Sequence, residues 1–597
     1  MCGQFGILNL EGIALPPIES LLESIKFRGP DGNDFLDLSS EQGPLLGHTR
    51  LSIIGGESAS QPMWSDDGRF CLTFNGEIYN FEDLAAFFKI DHRGSDTRLL
   101  VELWSQLGSH SIPLLRGQFS FCIWDKEKKQ TYLVTDAFGI LPMYIYSDHR
   151  LISWSSSARL FSALGLNLQK DKHATEEFLK LRFRFAPNTF FTNLEKLPPA
   201  SLVTINHDGK VGRESWTSFN HKSRVHTKVS SKELNNLLQT VIHRSLRSDQ
   251  EVGIFLSGGV DSALIAAISA SQINRPTKAF TAHWGVESSK SELREAQETC
   301  RDLHIDLIDI EVSPKKWWDA FVESSRYREA PNSEIADPVI YLLSQSASKH
   351  VKVALSGEGA DELFLGYPKY RVEKVLESIW ARPAITFALK LFAALFRRNA
   401  KLSRLNEAVS CKNSEDRWDG YFATPDVFKT GTSDSDSKER KPRSGDVRGL
   451  QSRDFAGYLP YALLERADRM GMANGLEVRP SMLDLDLLKA AKHISVNKQT
   501  GLFKSKHSYR KAASLILGKD IAFRRSKGFP IPLDLWIRDD LRLEFEATLS
   551  SQETALNSFV PEESRLDILK EHLSGKRNHA LLLFTWVSFI IWEKQWN

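Results

Sequence analysis

The apolar positions in the first third of the chain fall in short runs rich in β-branched and aromatic residues, at 69–74, 119–124 and 131–135, with turn residues between them. That pattern predicts a mostly antiparallel sheet with a few helices, one of them over 96–107. From about residue 231 the texture changes. An apolar strand at 252–256 is followed by a helical stretch at 263–270, and a second apolar strand at 351–355 runs into a turn, the alternation expected of a parallel α/β sheet. The polar stretch 220–230 reads as the link between the halves, and 430–445, made of small polar, charged, Pro and Gly residues, reads as a mobile loop. No internal repeat is visible.

Two apolar segments could be taken for membrane elements. The first, 380–396, carries Arg382, Pro383 and Lys390, and the second, 580–592, is about thirteen residues, short of the ~20 needed to span a bilayer. Both read better as buried or amphipathic helices, so no transmembrane segment is expected. Arg397 and Arg398 behind the first leave contact with a membrane surface or partner as its lesser reading.

At 597 residues the chain exceeds what one core supports. The expected division is a first domain over 1–205, a connecting segment over 206–230 and a second domain over 231–597. A net charge of +2 points to no nucleic acid or other polyanionic partner. The five cysteines, Cys2, Cys71, Cys122, Cys300 and Cys411, are odd in number and lack a C-x-x-C pair, which argues against a disulfide framework or a zinc site and fits a reducing, cytoplasmic setting. The start of the chain lacks a basic region followed by a long apolar run, so a secretory signal is not expected.

Removal of Met1 would leave Cys2 with a thiol and a free α-amine on one residue. An α-amine titrates near ~7.7 to 8.0 and a thiol near ~8.5. At neutral pH the amine can therefore take the thiol proton, directly or through water, and the thiolate can attack carbonyl carbon. A cysteine beside the start proves little alone. Behind it, however, stand Arg28-Gly29-Pro30-Asp31, His48-Thr49-Arg50-Leu51-Ser52-Ile53-Ile54, Asn75-Gly76-Glu77-Ile78-Tyr79-Asn80 and Gly94-Ser95-Asp96. Each piece has an ordinary explanation, Asn-Gly as a hairpin turn and Arg in a strand as a solvated side chain. The ordered set resembles the glutaminase domain of class II glutamine amidotransferases, an N-terminal-nucleophile hydrolase fold built as an αββα sandwich. The resemblance implies that Cys2 attacks the side-chain amide of L-glutamine and releases ammonia, while Asn75 and the backbone N–H of Gly76 hold the oxyanion. It implies further that Arg50 clamps the glutamine α-carboxylate, with Leu51, Ser52, Ile53 and Ile54 beside it, and that Glu77 and Asp96 receive the α-ammonium. Two strings depart from the family. Thr135-Asp136-Ala137-Phe138-Gly139 stands where Arg-Asp usually precedes the Gly, and Ser155-Ser156 replaces Ser-Glu, which puts local packing or coupling between sites in question.

In the second half, Leu256-Ser257-Gly258-Gly259-Val260-Asp261-Ser262 follows an apolar strand and opens a helix. Gly258 and Gly259 let backbone approach a phosphate, the helix start supplies N–H groups, and Ser257 and Ser262 add hydroxyls. Asp261 would repel a bare phosphate and so suggests Mg²⁺. The string resembles the PP-loop of ATP pyrophosphatases and lacks the Gly-Lys-Ser/Thr of a Walker A loop. A second string, Ser356-Gly357-Glu358-Gly359-Ala360-Asp361-Glu362, adds Asp361 as another carboxylate for the metal. It resembles the asparagine synthetase family. Leu459-Pro460, Asp468-Arg469-Met470, Glu477-Val478-Arg479, Leu483-Asp484, Lys506-His507-Ser508-Tyr509-Arg510 and Lys527-Gly528-Phe529 keep that family's order, and the apolar C-terminal run with Trp586 and Trp592 looks like its closing helix. The resemblance implies that Leu256, Ser257, Gly258, Gly259, Asp261, Ser262, Ala282, Ser356 and Gly357 bind ATP. It also implies that Lys506, otherwise read as a solvated helix residue, neutralises phosphates, and that Glu358 acts as general base in ammonia attack.

The fold expected is thus a two-domain α/β and α+β chain, an N-terminal-nucleophile hydrolase sandwich followed by a parallel-sheet ATP pyrophosphatase domain. The activity expected is ATP-dependent amidation of L-aspartate through an acyl-adenylate, with ammonia passed internally from glutamine; the resemblance also admits a homodimer. Rival readings are amidation of another small carboxylate, such as a sugar acid or natural-product intermediate, a cyclase using an internal amine, and a non-catalytic scaffold. Retention of Cys2, Arg50, Asn75 and Asp96 argues against the cyclase, and intact chemistry in both halves argues against the scaffold. The first rests on His283-Trp284-Gly285, where a Gly usually comes two residues earlier, and on Arg479-Pro480-Ser481-Met482-Leu483-Asp484 in place of the common Arg-Val-Pro-Phe-Leu-Asp.

Overall fold

A computed structural model describes residues 1–597 apart from 218–228, 273–277, 286–291, 377–413, 423, 425–445, 502, 526–529 and 597. The expectations for 380–396, for 430–445, for Lys527-Gly528-Phe529 and for most of 220–230 lie outside the described residues. In the first half, alternating short strands pair antiparallel. They are β1 (Gly3–Asn9), β2 (Gly32–Asp37), β3 (Leu45–Arg50), β4 (Met63–Trp64), β5 (Phe70–Ile78) and β6 (Gly117–Asp125), followed by β7 (Gln130–Thr135), β8 (Tyr144–Ser147), β9 (Leu151–Ser155), β10 (Leu194–Lys196), β11 (Ser201–Asn206) and β12 (Val211–Ser215). They form two six-stranded sheets, ordered β10-β8-β9-β1-β3-β2 and β12-β11-β7-β6-β5-β4. The sheets face each other through β1 and β5, with helix Ile18–Ile25 outside the first and helix Asp96–Leu107 outside the second. This is the αββα sandwich. The second of those helices forms because Ser95 caps it, its side chain accepting from the Arg98 N–H, and because Leu99, Leu100, Leu103 and Trp104 recur on one buried face.

Side-chain hydrogen bonds cross between the sheets. Gln4 Nε2 on β1 donates to the Ser120 carbonyl on β6 at 2.7 Å, and Thr73 Oγ1 on β5 donates to Gln4 Oε1 at 3.0 Å. These bonds fix the spacing of β1, β5 and β6, and thereby of Cys2 and Asn75 at their edges. The sequence Thr135–Gly139 also has a physical role. The Asp136 carboxylate accepts from the N–H groups of Phe138 (2.9 Å), Ile140 (3.1 Å) and Leu141 (3.2 Å), holding the turn after β7.

The second half carries a five-stranded, all-parallel sheet in the order β15-β14-β13-β16-β17. Its strands are β13 (Val252–Phe255), β14 (Lys278–His283), β15 (Asp306–Glu311), β16 (Val353–Ser356) and β17 (Glu477–Pro480). Helix Val260–Gln272, which follows β13, is buried along most of its length. The C-terminal helix Ala580–Gln595 is apolar on every side because it is enclosed on every side, with Leu583, Phe584, Trp586, Phe589 and Trp592 in one core cluster. Among the described residues no helix is long and apolar enough to cross a membrane.

Buried ion pairs join the halves. Arg28 grips Asp468 with both terminal nitrogens, at 2.9 and 2.7 Å. Lys196 meets Glu465 at 2.7 Å, and Glu329, paired with Arg469 at 2.8 Å within the second half, accepts from Ser157 Oγ of the first half at 2.7 Å. Ser156, where the family usually has Glu, offers its carbonyl to Arg469 Nη2 at 3.2 Å. Charges taken out of water in pairs contribute modestly as pairs, but losing one partner is costly.

Candidate active sites

At the first site the chain start passes between β3 and β5. The Cys2 N–H donates to Asn75 Oδ1 at 2.8 Å, and Sγ lies 3.9 Å from the Leu51 carbonyl. With Oδ1 occupied, Asn75 keeps Nδ2 as a donor, which among the described residues makes a long 3.5 Å contact with Ser120 Oγ. Gly76 follows at φ +150°, where a Cβ would collide with the Gln118 carbonyl, so glycine is required there. Arg50 Nη2 reaches the Ile54 carbonyl at 3.4 Å, and the Ser52 N–H donates to Asp31 at 2.9 Å, shaping the segment 50–54. Burial pushes the Cys2 thiol up, opposed by the chain's α-ammonium and by a backbone hydrogen bond of Leu51.

Met1 is buried beside it and its α-ammonium is bonded to Glu477 on β17, a residue of the other half. Removal of Met1 would take that charge away and leave the amine of Cys2 against Asn75 Oδ1. Nearby, Glu77 and Asp96 are both buried. Burial, with repulsion from Asp96 and Glu477, drives Glu77 well above the ordinary carboxylate range, opposed by Arg479. Burial likewise pushes Asp96 up to about 6, despite the Ile78 N–H bond it accepts at 3.0 Å. One Glu77 oxygen has no hydrogen-bond partner among the described residues. An unmatched pair of buried carboxylates is suited to receive a cation.

At the second site the loop between β13 and helix Val260–Gln272 is tied by its own hydroxyls. Ser262 Oγ accepts from the Ser257 N–H at 3.0 Å, and Ser257 Oγ accepts from the Gly259 N–H at 3.2 Å. Leu256 bonds back to Phe280 on β14, the strand that carries Ala282 two residues on. Gly258 packs against Glu292 and Glu295, where a Cβ would come within 2.9 Å of Glu295 Cβ. The loop after β16 comes alongside, a Cβ on Gly357 standing 3.0 Å from Asp261 Cβ. Lys506 closes the set, its Nζ lying 2.7 Å from Asp261 and 2.8 Å from Asp361. Burial opposes its charge, but the two carboxylates outweigh that and raise it. Glu358 accepts from Ser356 Oγ at 3.2 Å and from Arg466 Nη2 at 2.7 Å.

The structure thus gathers Cys2, Leu51, Asn75 and Gly76 into one locus, with Glu77 and Asp96 next to it. It gathers Ser257, Asp261, Ser262, Gly357, Asp361 and Lys506 into another. Ala282 is on the adjacent strand, β14. Three features escaped the sequence reading. Arg466 pairs with Glu358 from 108 residues away and nothing near either residue signals it. Gly366 has no room for a Cβ against Asp361 and Lys506. Glu477 and Arg479, whose spacing of two on a strand does put both on one face, point from the second half into the first site, Arg479 standing 3.9 Å from Glu77.

Both halves of the chain match known families. Residues 233–594 match the asparagine synthase family and residues 1–217 the glutamine amidotransferase domain. The chain is 28% identical to asparagine synthetase [glutamine-hydrolyzing] 1 of Bacillus subtilis, over 99% of this chain and 96% of that protein. It is 27% identical to a putative asparagine synthetase [glutamine-hydrolyzing] of Mycobacterium bovis, over 95% and 92%. It is 25% identical to the amidase chry2 of Gibberella zeae, over 64% and 62%. The chain therefore belongs to the asparagine synthase family, an enzyme that joins a glutamine-using amidotransferase half to an ATP-dependent ligase half.

Proposed function

We propose that the protein is a glutamine-hydrolysing asparagine synthetase that forms asparagine from L-aspartate, glutamine and ATP, with AMP and pyrophosphate as co-products. The observation that carries this reading is the presence in one chain of a cysteine near its start whose N–H bonds Asn75 Oδ1 and of two carboxylates sharing Lys506 beside a Ser-Gly-Gly loop.

After loss of Met1, the Cys2 amine takes the thiol proton and sulfur attacks the glutamine carboxamide carbon. Asn75 Nδ2 and the Gly76 N–H receive the oxyanion. Ammonia leaves with the returned proton, and water releases glutamate from the thioester. Arg50 holds the substrate carboxylate, and Glu77 with Asp96 holds its ammonium. At the second site the aspartate side-chain carboxylate attacks the α-phosphorus, pyrophosphate departs, and Lys506 offsets the phosphate charge. Ammonia then attacks the acyl-adenylate carbonyl while Glu358, steered by Arg466, takes a proton, and AMP leaves. Free ammonia in bulk water is mostly protonated, so delivery inside the protein is part of the reading.

The donor set fits Mg²⁺. Asp261 Oδ1 is buried without a hydrogen-bond partner among the described residues, and Asp361 stands across Lys506 from it. Two carboxylates plus substrate phosphate oxygens suit that ion, which would supply charge neutralisation on the phosphates. Another small carboxylate as acceptor is the second reading, favoured by His283. It stands at the sheet's C-terminal edge, bonded to Asp309 at 3.1 Å, with Nδ1 buried and unpartnered among the described residues. Pyrophosphate release measured against a panel of carboxylic acids decides between them. Release with L-aspartate supports the first reading, and none above background, from enzyme that still hydrolyses glutamine, overturns it.

A further inference from the structure

The segment 51–56, which borders Cys2 and Arg50, is held in place from the opposite half of the chain. The Asp249 N–H donates to the Ile53 carbonyl at 3.1 Å, and the Gly55 N–H donates to Asp249 Oδ2 at 2.9 Å. These two bonds straddle Ile54, whose carbonyl accepts from Arg50, and lie just beyond Leu51, whose carbonyl faces Cys2 Sγ. Asp249 is itself anchored. It follows helix Ser231–Ser245, and Arg479 Nη1 donates to the carbonyls of Ser245 at 2.9 Å and Arg247 at 2.6 Å, while Arg247 pairs with Glu82 of the first half. A few residues later the same stretch enters β13 and the loop 256–262. Gly55 and Gly56 lie at φ +79° and +45°, so the turn here consists of residues with the widest backbone freedom, and an outside clamp has the most to restrict.

We propose that Asp249 is a positioning residue for the glutamine site, supplied by the ligase half: it fixes 51–56 so that Arg50 and the Leu51 carbonyl stand ready for substrate. The proposal rests on the reading that 50–54 binds glutamine. Asp249 is exposed and lines a cavity of about 700 Å³ between the halves, so its carboxylate can be removed without opening a core.

The test compares Asp249→Ala and Asp249→Asn with the unaltered full chain in glutamine hydrolysis and in synthesis from ammonium salts. Losing one exposed, charge-assisted hydrogen bond should raise KM for glutamine about five-fold, with kcat changed less than about two-fold. Asp249→Asn keeps an acceptor for the Gly55 N–H and should stay within about two-fold of the unaltered protein, and ammonia-dependent synthesis should be unchanged in both. An unaltered KM in Asp249→Ala overturns the proposal, as does equal impairment of Asp249→Asn, or a parallel fall in ammonia-dependent synthesis. Failure of the unaltered protein to hydrolyse glutamine at all would instead overturn the underlying reading.

Discussion

Around Cys2 the carboxylates of Glu77 and Asp96 lie buried together and Glu477 faces them from the other half, whereas at the loop site Asp261 and Asp361 are bridged by Lys506. Among the described residues, the three carboxylates at the first site face the Met1 ammonium and Arg479. The second carries its own counter-charge. The difference follows from what each would bind. An amino acid brings an ammonium that a carboxylate pair can receive, while a nucleotide brings negative charge that must meet a cation already in place. Assembly differs as well. The Met1–Glu477 contact spans 476 residues, while the Ser257, Gly259 and Ser262 bonds lie within five.

The comparison breaks most sharply if the two chemistries are not separable. Cys2→Ala should lower glutamine hydrolysis more than about a thousand-fold while leaving synthesis from ammonium salts intact. Retained hydrolysis would remove the nucleophile. Protein retaining Met1, identified by mass spectrometry, should be equally inactive toward glutamine. Lys506→Met should lower aspartate-dependent pyrophosphate release by about 10²–10³-fold, since it strips the counter-charge from two carboxylates. Glutamine hydrolysis should survive it, and unchanged release would exclude a role in phosphate binding.

Asp468→Asn tests the join between the sites. It leaves Arg28 buried without its counter-charge, and denaturant unfolding should show a loss of about 3 kcal/mol. No loss would mean that water reaches the pair. The smallest effect is on pH. Asp96, raised to about 6, is protonated below that pH and then cannot receive the glutamine ammonium. KM for glutamine should therefore rise as pH falls below about 6, by up to about ten-fold per unit. Ammonia-dependent synthesis, corrected for ammonia protonation, should not follow that curve.

Elements with a local cause could be read from the chain. Helix Asp96–Leu107 has its Ser95 cap and a periodic apolar face, and the strand ending at Phe255 is followed by its Gly-Gly turn. The loop site was equally legible, because its residues lie in three short strings. The environment of Cys2 was legible only in part. Arg50, Asn75 and Asp96 stand in local strings, but Glu477 and Arg479 reach the pocket only because β17 packs at the edge of a separate sheet. No periodicity encodes such a contact. The same holds for Arg466 on Glu358 and for Asp249 on the segment 51–56, where partners from distant parts of the chain meet only after both halves have folded.

The most direct test of two coupled sites supplies glutamine labelled with ¹⁵N in its amide, L-aspartate, ATP and Mg²⁺, with unlabelled ammonium in the bath, and follows the label into product. The account predicts AMP and glutamate in nearly equal amounts and asparagine enriched in ¹⁵N far above the bath. Asparagine carrying only the bath's isotope ratio, or no aspartate-dependent AMP, would contradict it.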